Sequence, residues 1–287
     1  MTTLVTVAAH AERWIPGFIK FGIARAIGVA LYWLNPRIRQ NTDSNMAVVL
    51  NLPITRPEVR KLAMASVIAY AEHLVDFLRN YRLSTDELLR QTTSMEGFHH
   101  YLEFQSRNLG GILVTAHFGN WEWCGGLVSL DKPTYAVAET FGSRSVNAFL
   151  HTVRARKNIR SIQMGNAGKE LLNTLRRGDI AALLVDRPTP GKGAIVNFFG
   201  KPAQLPDSVA RLAVRTNSPV LVGGVIRQRD GTYTAHAMPV IYPNLDLPTK
   251  EAVAETMQEI IWDIESLIRK APNQWYMFRK MWTEPYT

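Results

Sequence analysis

The sequence contains few of the features that identify a function directly. Its 287 residues include one cysteine, Cys124, so an intramolecular disulfide is excluded. The serine-hydrolase pattern GxSxG, the zinc-peptidase pattern HExxH and the phosphate-binding pattern GxxxxGK(S/T) do not occur in it. Cys124 lies in an apolar segment and is interpreted as a small buried residue rather than a nucleophile. Candidate catalytic residues must therefore be sought outside these motifs.

Linkers, low-complexity tracts and internal repeats are also missing from the sequence. With 46% hydrophobic residues, a chain of this length has ample material for a core. We therefore predict a single folded domain over residues 41–287. An N-terminal membrane-associating helix within residues 1–40 would precede it.

A long uncharged hydrophobic run is missing as well. The most apolar segment, Trp14–Leu34, is interrupted by Lys20 and Arg25, and each charge at a bilayer centre costs about 2.5 to 3.5 kcal/mol on insertion scales. A clean membrane span is therefore disfavoured, and the segment lacks the small-residue cleavage site of a signal peptide. A helix lying in the membrane interface, aided by Lys20, Arg25, Arg37 and Arg39, fits better. The alternative is a helix that packs on the domain.

Acidic residues are in the minority. Lys and Arg number 33 against 24 Asp and Glu, which gives a formal net charge of +9. A surplus of this size favours an anionic partner. The basic residues are scattered, without an RNA-binding aromatic signature or a zinc-finger spacing. The sequence therefore predicts a membrane surface or a phosphate-bearing substrate as the partner, and no nucleic acid.

What the sequence does contain is a regular alternation of strand and helix patterns. Short runs over Gly111–Ala116 and Ile180–Val185 indicate buried strands. Apolar residues at helical spacing indicate helices over Arg56–Asn80 and Val253–Ile268. The dipeptide Asp230-Gly231 between two strand patterns indicates a hairpin. We predict an α/β fold, with a mixed, largely parallel central sheet flanked by helices.

One stretch, Thr115 to Glu122, joins a strand to a helix. The strand would deliver His117 to the carboxyl edge of the sheet, where ligands usually collect. Gly119 lets the backbone turn, and Asn120 is a suitable N-cap for a helix with Glu122 in its first turn. A neutral imidazole at this place can take a proton from a hydroxyl, while the carboxylate fixes its tautomer. We therefore predict His117 and Glu122 as catalytic residues; the alternative is a purely structural pair.

The pattern His117-x4-Glu122, within HFGNWE, resembles the HX4(D/E) motif of the lysophospholipid and glycerolipid acyltransferase superfamily. The Gly-Asn-Trp inside it is most similar to the branch of late lipid A (lauroyl or myristoyl) acyltransferases and mycobacterial phosphatidylinositol mannoside acyltransferases. Further segments fall in the order of that family: Arg154-x-Arg156, Leu184-Val185-Asp186-Arg187, Phe198-Phe199-Gly200-Lys201-Pro202 and Pro272-x-Gln274-Trp275. The resemblance extends from Asn45 to Trp282, nearly the whole chain.

The resemblance implies an enzyme that transfers a fatty acyl group from acyl-CoA or acyl-ACP to a hydroxyl of an anionic glycolipid. In such enzymes the histidine activates the acceptor hydroxyl and the acidic residue supports it, without a covalent acyl-enzyme and with no metal or redox cofactor. The resemblance also implies peripheral or weak attachment to the cytoplasmic face of a bacterial inner membrane. The acceptor lipid, the acyl chain length and the donor are left open. An acyl thioesterase and a non-catalytic lipid-binding protein remain as alternatives.

The resemblance also assigns substrate-binding residues. Arg154 and Arg156 match the region that holds the acceptor phosphate, for which the planar fork of arginine is suited. We favour Arg154, and a solvated helix end is the alternative for one of the two. Asp186 follows a strand, on the same edge as His117 if the strands are parallel. It would orient the acceptor or pair with Arg187, or else only begin a turn.

Two further expectations concern the acyl chain and the transition state. Phe198, Phe199 and Gly200 match a segment that lines the acyl or acceptor site, where the two rings would flank an acyl chain. A pair of core aromatic residues is the alternative. The oxyanion of the transition state would be stabilised by backbone amides of the Gly119 turn or by a nearby arginine.

Overall fold

The computed structural model describes residues 4–106, 109–138, 143–163, 165, 167–188 and 191–282. The helices in these ranges are α1 (Leu4–Ala11), α2 (Gly17–Leu34), α3 (Pro36–Leu50), α4 (Pro57–Asn80), α5 (Thr85–Gln91), α6 (Phe98–Ser106), α7 (Trp121–Val128), α8 (Arg144–Ala155), α9 (Ala167–Arg176), α10 (Ser208–Thr216) and α11 (Thr249–Lys270). The strands are β1 (Thr92–Glu96), β2 (Gly111–Thr115), β3 (Thr134–Ala138), β4 (Ile159–Gln163), β5 (Ile180–Leu184), β6 (Ala194–Phe198), β7 (Lys201–Leu205), β8 (Val220–Arg227) and β9 (Tyr233–Ala237).

A seven-stranded sheet forms the centre of the molecule, in the order β1-β9-β8-β2-β5-β3-β4. Its pairings are parallel except for β8 with β9, which form an antiparallel hairpin. Strands β6 and β7 form a separate antiparallel pair that packs on α11. These pairings confirm the predicted mixed, largely parallel sheet.

Helices cover both faces of the sheet. On β2, Ile112 and Val114 join a core shared with α10 and α11, whereas Leu113 joins a second core shared with α5, α6 and α7. All five residues of β2 are buried. This explains the unbroken run of apolar residues from which the strand was predicted, because a parallel strand covered on both faces has no side that faces solvent.

The two charged residues of α2 pair with carboxylates of the protein. Lys20 pairs with the buried Glu12, which Arg82 also contacts at 2.6 Å. Arg25 Nε lies 2.6 Å from Glu72 of α4, the helix on which α2 packs. Helix α2 therefore does pack on the domain, which was the alternative reading, and the predicted boundary at residue 40 falls inside α3.

The other side of α2 is apolar and is left uncovered by the described residues. Phe18 and Leu34 are 81% and 82% exposed, and Trp14, just before the helix, is 76% exposed. With 18 residues and a mean hydropathy of 1.4, α2 is long and apolar enough to cross a membrane by length and composition. The same helix thus packs on the domain with one side and presents an apolar surface with the other.

Two strands, β4 and β7, have no clear strand pattern in the sequence. Strand β4 lies at the edge of the sheet and carries Arg160 and Gln163 at exposed positions. Charged residues are common on edge strands. Strand β7 begins with Lys201 and Pro202, and proline is tolerated at the start of a strand or at an edge. Because neither strand is buried on both faces, neither shows an apolar run.

Asn45 of α3 holds the segment that follows α11. Its amide nitrogen donates to the carbonyls of Met277 at 2.9 Å and Arg279 at 2.7 Å. Its oxygen accepts the N–H of Met281 at 3.0 Å. Asn45 is fully buried, so water does not replace these bonds. One side chain therefore fixes the C-terminal segment against the N-terminal helices.

We expect Asn45→Ala to lower the free energy of unfolding by about 3 kcal/mol or more, because three backbone groups lose their partner and each costs about 1 to 3 kcal/mol when buried. Chemical denaturation followed by tryptophan fluorescence measures the change. The control is Asn173→Ala, at an exposed position of α9, which should change stability by less than about 0.5 kcal/mol. Equal stability of the two variants would contradict the anchoring role of Asn45.

Candidate active site

Two neighbouring parallel strands end side by side at one edge of the sheet. Strands β2 and β5 pair in a register that places Thr115 opposite Leu184. His117 and Asp186 each follow two residues later. Because the strands are parallel, both side chains lie at the same edge, as the sequence predicted for parallel strands.

Asp186 holds His117 through two hydrogen bonds. Its Oδ1 lies 2.7 Å from Nδ1 of His117, and its Oδ2 accepts the backbone N–H of His117 at 3.0 Å. Oδ2 also accepts the indole N–H of Trp275 at 2.9 Å, and both Asp186 and Trp275 are fully buried. Burial alone would raise the pKa of Asp186, but the charge and hydrogen bonds of His117 and the bond from Trp275 outweigh it and lower that pKa. Asp186 is therefore ionised at neutral pH.

This contact determines which nitrogen of the neutral imidazole carries the proton. An ionised carboxylate at Nδ1 keeps the proton of a neutral ring on that nitrogen, so Nε2 retains a lone pair. The side chain of His117 is 17% exposed, whereas that of Asp186 is completely buried. Such an arrangement can accept a proton from a hydroxyl bound beside it and can stabilise the imidazolium that forms.

The predicted contact between Glu122 and the imidazole is wrong. The Glu122 carboxylate contacts Arg154 instead, with Nη2 at 2.6 Å from Oε1 and Nε at 3.2 and 3.1 Å from the two oxygens. Burial acts to raise the pKa of Glu122, but the charge and hydrogen bonds of Arg154 outweigh it and keep that pKa below its ordinary value. The physical reason for the difference is that His117 already has its carboxylate, while a buried Glu122 needs a cation.

The same contacts correct the expectation that Arg154 holds a phosphate. Arg154 is buried and its guanidinium fork is engaged by Glu122. Arg156 is exposed, and its guanidinium lies over the ring of Tyr81 at 4.3 Å and donates to the Tyr81 carbonyl at 2.9 Å. A phosphate contact by Arg156 stays a prediction.

The turn after β2 is fixed by the backbone. Gly119 has a φ of 54°, and a Cβ there would lie 2.0 Å from the carbonyl oxygen of Val225. The N–H of Gly119 donates to the Gln274 carbonyl and the N–H of Asn120 to the Val225 carbonyl, both at 2.8 Å. These amides are therefore already used. This corrects the expectation that they stabilise an oxyanion.

Arg187 is half-buried and directly follows Asp186. Burial raises the pKa of the Tyr70 phenol, and the charge of Arg187 opposes that rise, so Arg187 lies near this ring of α4. The carboxylate of Asp186 serves His117, rather than the acceptor or Arg187 as expected. Arg187 therefore stays the candidate for the arginine that is expected to stabilise the oxyanion.

A group of aromatic rings packs beside His117. The Trp121 ring lies 5.6 Å from that of His117, and His73 lies 4.3 Å from Trp121 and 5.5 Å from Tyr276. Burial lowers the pKa of His73 to about 4, so this ring is neutral at physiological pH. Sequence reasoning missed the group. The available signal was the i, i+3 spacing of Tyr70 and His73, which places both on one side of α4.

Phe198, Phe199 and Gly200 form the turn between β6 and β7. Phe198 is fully buried, with its ring 5.7 Å from Trp275 and 5.6 Å from Trp282. Phe199 and Gly200 have φ values of 53° and 77°, which the tight turn requires. The two aromatic rings thus belong to the core that supports Trp275, as in the alternative reading. A part in lining an acyl site stays a prediction.

Known proteins resemble this chain over most of its length. The family model described as bacterial lipid A biosynthesis acyltransferase matches residues 2–284. A phosphatidylinositol mannoside acyltransferase of Mycobacterium tuberculosis is 24% identical over 292 residues, which cover 98% of this chain and 90% of the relative. One from Mycolicibacterium smegmatis is 24% identical over 228 residues, covering 77% and 72%. The crystal structure of the 1-acyl-sn-glycerophosphate acyltransferase from Thermotoga maritima matches 87% of this chain and 97% of that chain, with a TM-score of 0.39 and 15% identity.

We expect Glu122→Gln to lower the free energy of unfolding by about 3 to 5 kcal/mol, because it leaves the buried Arg154 without a counter-charge. Adding Arg154→Met should recover much of the loss, since an apolar pair avoids the cost of desolvating two ions. Urea unfolding of the wild type, the single variant and the double variant measures both effects. A single variant as stable as the wild type would contradict the bracing role of the pair.

Acidification provides a second readout in the same experiment. The pKa of Glu122 in the folded protein lies below its ordinary value of 4.5. Its stabilising contribution is therefore complete above that value and is lost as the pH falls through the folded pKa. The stability difference between the wild type and Glu122→Gln should shrink in acid, and a constant difference would contradict the charge assignment.

Proposed function

The chain belongs to the bacterial lipid A biosynthesis acyltransferase family, and from this membership we propose that it transfers a fatty acyl group from an acyl thioester to a hydroxyl of an anionic glycolipid. The observation that carries the mechanism is the buried Asp186 at 2.7 Å from Nδ1 of His117. This contact prepares Nε2 as a general base.

In the proposed reaction, Nε2 of His117 takes the proton of the acceptor hydroxyl while the hydroxyl oxygen attacks the thioester carbonyl carbon. A C–O bond forms, the C–S bond breaks, and the imidazolium returns its proton to the leaving thiolate. The products are an acyl ester and a free thiol. Asp186 stays ionised throughout and stabilises the imidazolium.

The oxyanion that forms during this attack needs a donor or a cation. The amides of Gly119 and Asn120 are engaged by backbone carbonyls, so we assign this role to Arg187. It is half-buried, follows Asp186 directly and acts on Tyr70, whose ring lies 5.4 Å from that of Tyr276. A cation in a partly dehydrated site stabilises developing negative charge more strongly than it would in water.

The substrates are proposed from the relatives and from charge. The relatives are named as phosphatidylinositol mannoside acyltransferases, and the family is named for lipid A. We therefore propose a lipid A precursor or a phosphatidylinositol mannoside as the type of acceptor, and acyl-CoA or acyl-ACP as the donor. The net charge of +9 supports anionic substrates of either kind.

We further propose that the enzyme lies on the cytoplasmic face of a bacterial inner membrane, attached through the exposed side of α2. The apolar residues Trp14, Phe18 and Leu34 are the most exposed of this surface. Lys20 and Arg25 are paired with carboxylates of the protein, which lowers the cost of bringing the helix to lipid. Helix α2 packs on α4, whose His73 lies beside Trp121, and this supports an active site on the membrane-facing part of the protein.

We expect His117→Ala and Asp186→Asn each to lower kcat/KM by about 10²- to 10⁴-fold, because the first removes the base and the second frees the ring from its reactive tautomer. Thiol release from acyl-CoA and from acyl-ACP, with and without crude anionic lipid, measures the rate. Mass spectrometry identifies the lipid that gains an acyl group. The control is Asp246→Asn, at an exposed position, which should keep the wild-type rate.

The outcomes separate the alternatives. A wild-type rate in either site variant would contradict the general-base assignment. Thiol release that is independent of lipid would favour an acyl thioesterase. Vesicle binding without thiol release from either donor would favour a non-catalytic lipid-binding protein.

We expect Phe18→Asp to weaken vesicle binding by about tenfold or more, because a carboxylate brought into the membrane costs more than about 1.4 kcal/mol. Vesicle flotation measures the binding. Substitution is a cleaner test than deletion, since α2 packs on α4. Trp262→Asp is the control, because Trp262 is an exposed apolar residue of α11. If Phe18→Asp binds as well as the control, the proposed attachment is wrong.

A further inference from the structure

Lys157 is a buried cation that the mechanism above does not use. It lies two residues before β4, and it is only 1% exposed. A lysine is almost never fully buried in a protein unless its charge is paired. Glu122, the carboxylate whose charge acts on Lys157, is already paired with Arg154. The burial of Lys157 therefore needs an explanation other than an ion pair of its own.

The surroundings of Lys157 oppose its charge. Burial lowers the pKa of Lys157 to about 8, the charge of Glu122 opposes this shift, and the charge of Arg156 adds to it. Together with Glu122 and Arg154, Lys157 forms a buried group of two cations and one carboxylate. A charge placed in this way costs stability, and features of this kind are expected where they serve a function.

Helix α7 leaves room for the stem of Lys157. A Cβ on Gly126 of α7 would lie 3.3 Å from Cδ of Lys157 and 2.6 Å from Cδ1 of Leu88. Glycine inside a helix is itself unfavourable compared with alanine. The backbone N–H of Lys157 donates to the Arg154 carbonyl at 2.9 Å. The stem and the backbone of Lys157 are therefore both held in place.

The ammonium group of Lys157 holds the last residue of α4. Its Nζ donates to the backbone carbonyl of Asn80, and Asn80 is completely buried. The last carbonyls of a helix have no partner inside the helix and need a donor from elsewhere. Lys157 supplies this donor and so fixes the end of α4 relative to the start of β4.

Asn80 in turn contacts the turn that carries His117. Its Nδ2 donates at 3.4 Å to Oδ1 of Asn120, the N-cap of α7, and this oxygen also accepts the Trp123 N–H at 3.1 Å. Asn80 Oδ1 and Asn120 Nδ2 have no hydrogen-bond partner among the residues that the structure describes. A contact as long as 3.4 Å is weak by itself. It therefore depends on the two residues being held in position from outside.

We propose that Lys157 is a positioning residue for His117. Through the Asn80 carbonyl it holds the end of α4, and through the Asn80 side chain it holds the N-cap of α7 and the turn before it. Lys157 is buried, contacts no substrate and transfers no proton. The inference rests on the proposed role of His117 as a general base.

The test compares Lys157→Met with the wild type in the thiol-release assay. Methionine keeps an unbranched stem but has no donor for the Asn80 carbonyl. We expect kcat to fall by about tenfold or more, because a displacement of about 1 Å at a reacting group can cost about 100-fold in rate. KM for the acyl thioester should stay within about twofold, since no substrate contact is changed. A wild-type kcat in this variant would overturn the proposal.

Leu88→Ala is the matched control. Leu88 is completely buried and packs on the same part of α7 as the stem of Lys157, but its side chain is apolar. This variant should have a clearly lower denaturation midpoint and should keep kcat, with both variants assayed where circular dichroism shows them folded. The midpoint of Lys157→Met should fall less, because removal of a buried charge offsets the lost hydrogen bond. An equal fall of kcat in Leu88→Ala would indicate general loosening of α7 and overturn the proposal.

A double variant tests the route through Asn80. Asn80→Ala keeps the backbone carbonyl that Lys157 contacts but removes the amide that contacts Asn120. In this background, Lys157→Met should lower kcat by less than about twofold, because residues that act through one contact are not additive. Losses that multiply in full would overturn the route.

Hydrogen exchange provides a readout that does not depend on activity. The backbone N–H groups of Asn120 and Trp123 are bonded to the Val225 carbonyl and to Asn120 Oδ1. Lys157→Met should speed their exchange by about tenfold and leave that of Val222, within β8, unchanged. Unchanged exchange at Asn120 and Trp123 would overturn the proposal. Faster exchange in a protein whose wild type releases no thiol from either donor would instead contradict the proposed acyl transfer, while the positioning contact would stand.

Discussion

A buried carboxylate is stable only if its charge is compensated, and the active site is built around that requirement at Asp186. Two N–H groups of His117 and one of Trp275 point at its two oxygens. The donors come from the end of β2 and from the segment after α11, so both must be fixed for the charge to be tolerated. Ser66 of α4 helps to fix the second, because its hydroxyl donates to the Trp275 carbonyl at 2.7 Å. The orientation of the His117 imidazole is thus a consequence of the fold.

The same requirement explains why the acid of the HX4(D/E) motif has another partner. Glu122 is buried in the first turn of α7, and Arg154 from the end of α8 supplies its counter-charge. The ion pair joins the two helices and fixes the start of α7, whose N-cap is Asn120, three residues after His117. Glu122 therefore contributes to the site through the position of the turn, while Asp186 contributes through direct contact. The two buried acids have different structural roles because Glu122 is paired with Arg154, whereas Asp186 accepts hydrogen bonds from His117 and Trp275.

The sequence was informative where structure depends on neighbours in the chain. The burial of β2, the turn at Gly119 and the place of His117 follow from local apolar runs, a glycine and an N-cap. The partner of His117 is 69 residues away, and only the register of β2 with β5 brings it opposite. Short spacing favoured Glu122 because sequence alone does not reveal which strand lies next to which. The charges of α2 raised the same difficulty, since their partners on other helices become visible only in the fold.

Helix α4 connects the surroundings of His117 with helix α2. Tyr70 and His73 pack with the rings beside His117, and His73 also lines, with Glu72 and Asp76, a polar cleft between α4, the end of β8 and the segment after α11. Helix α2 packs on α4, and its apolar side is left uncovered by the described residues. Because α2 packs on α4, and His73 of α4 lies beside Trp121, the proposed attachment of α2 to a membrane would also set the position of His117 relative to the lipid.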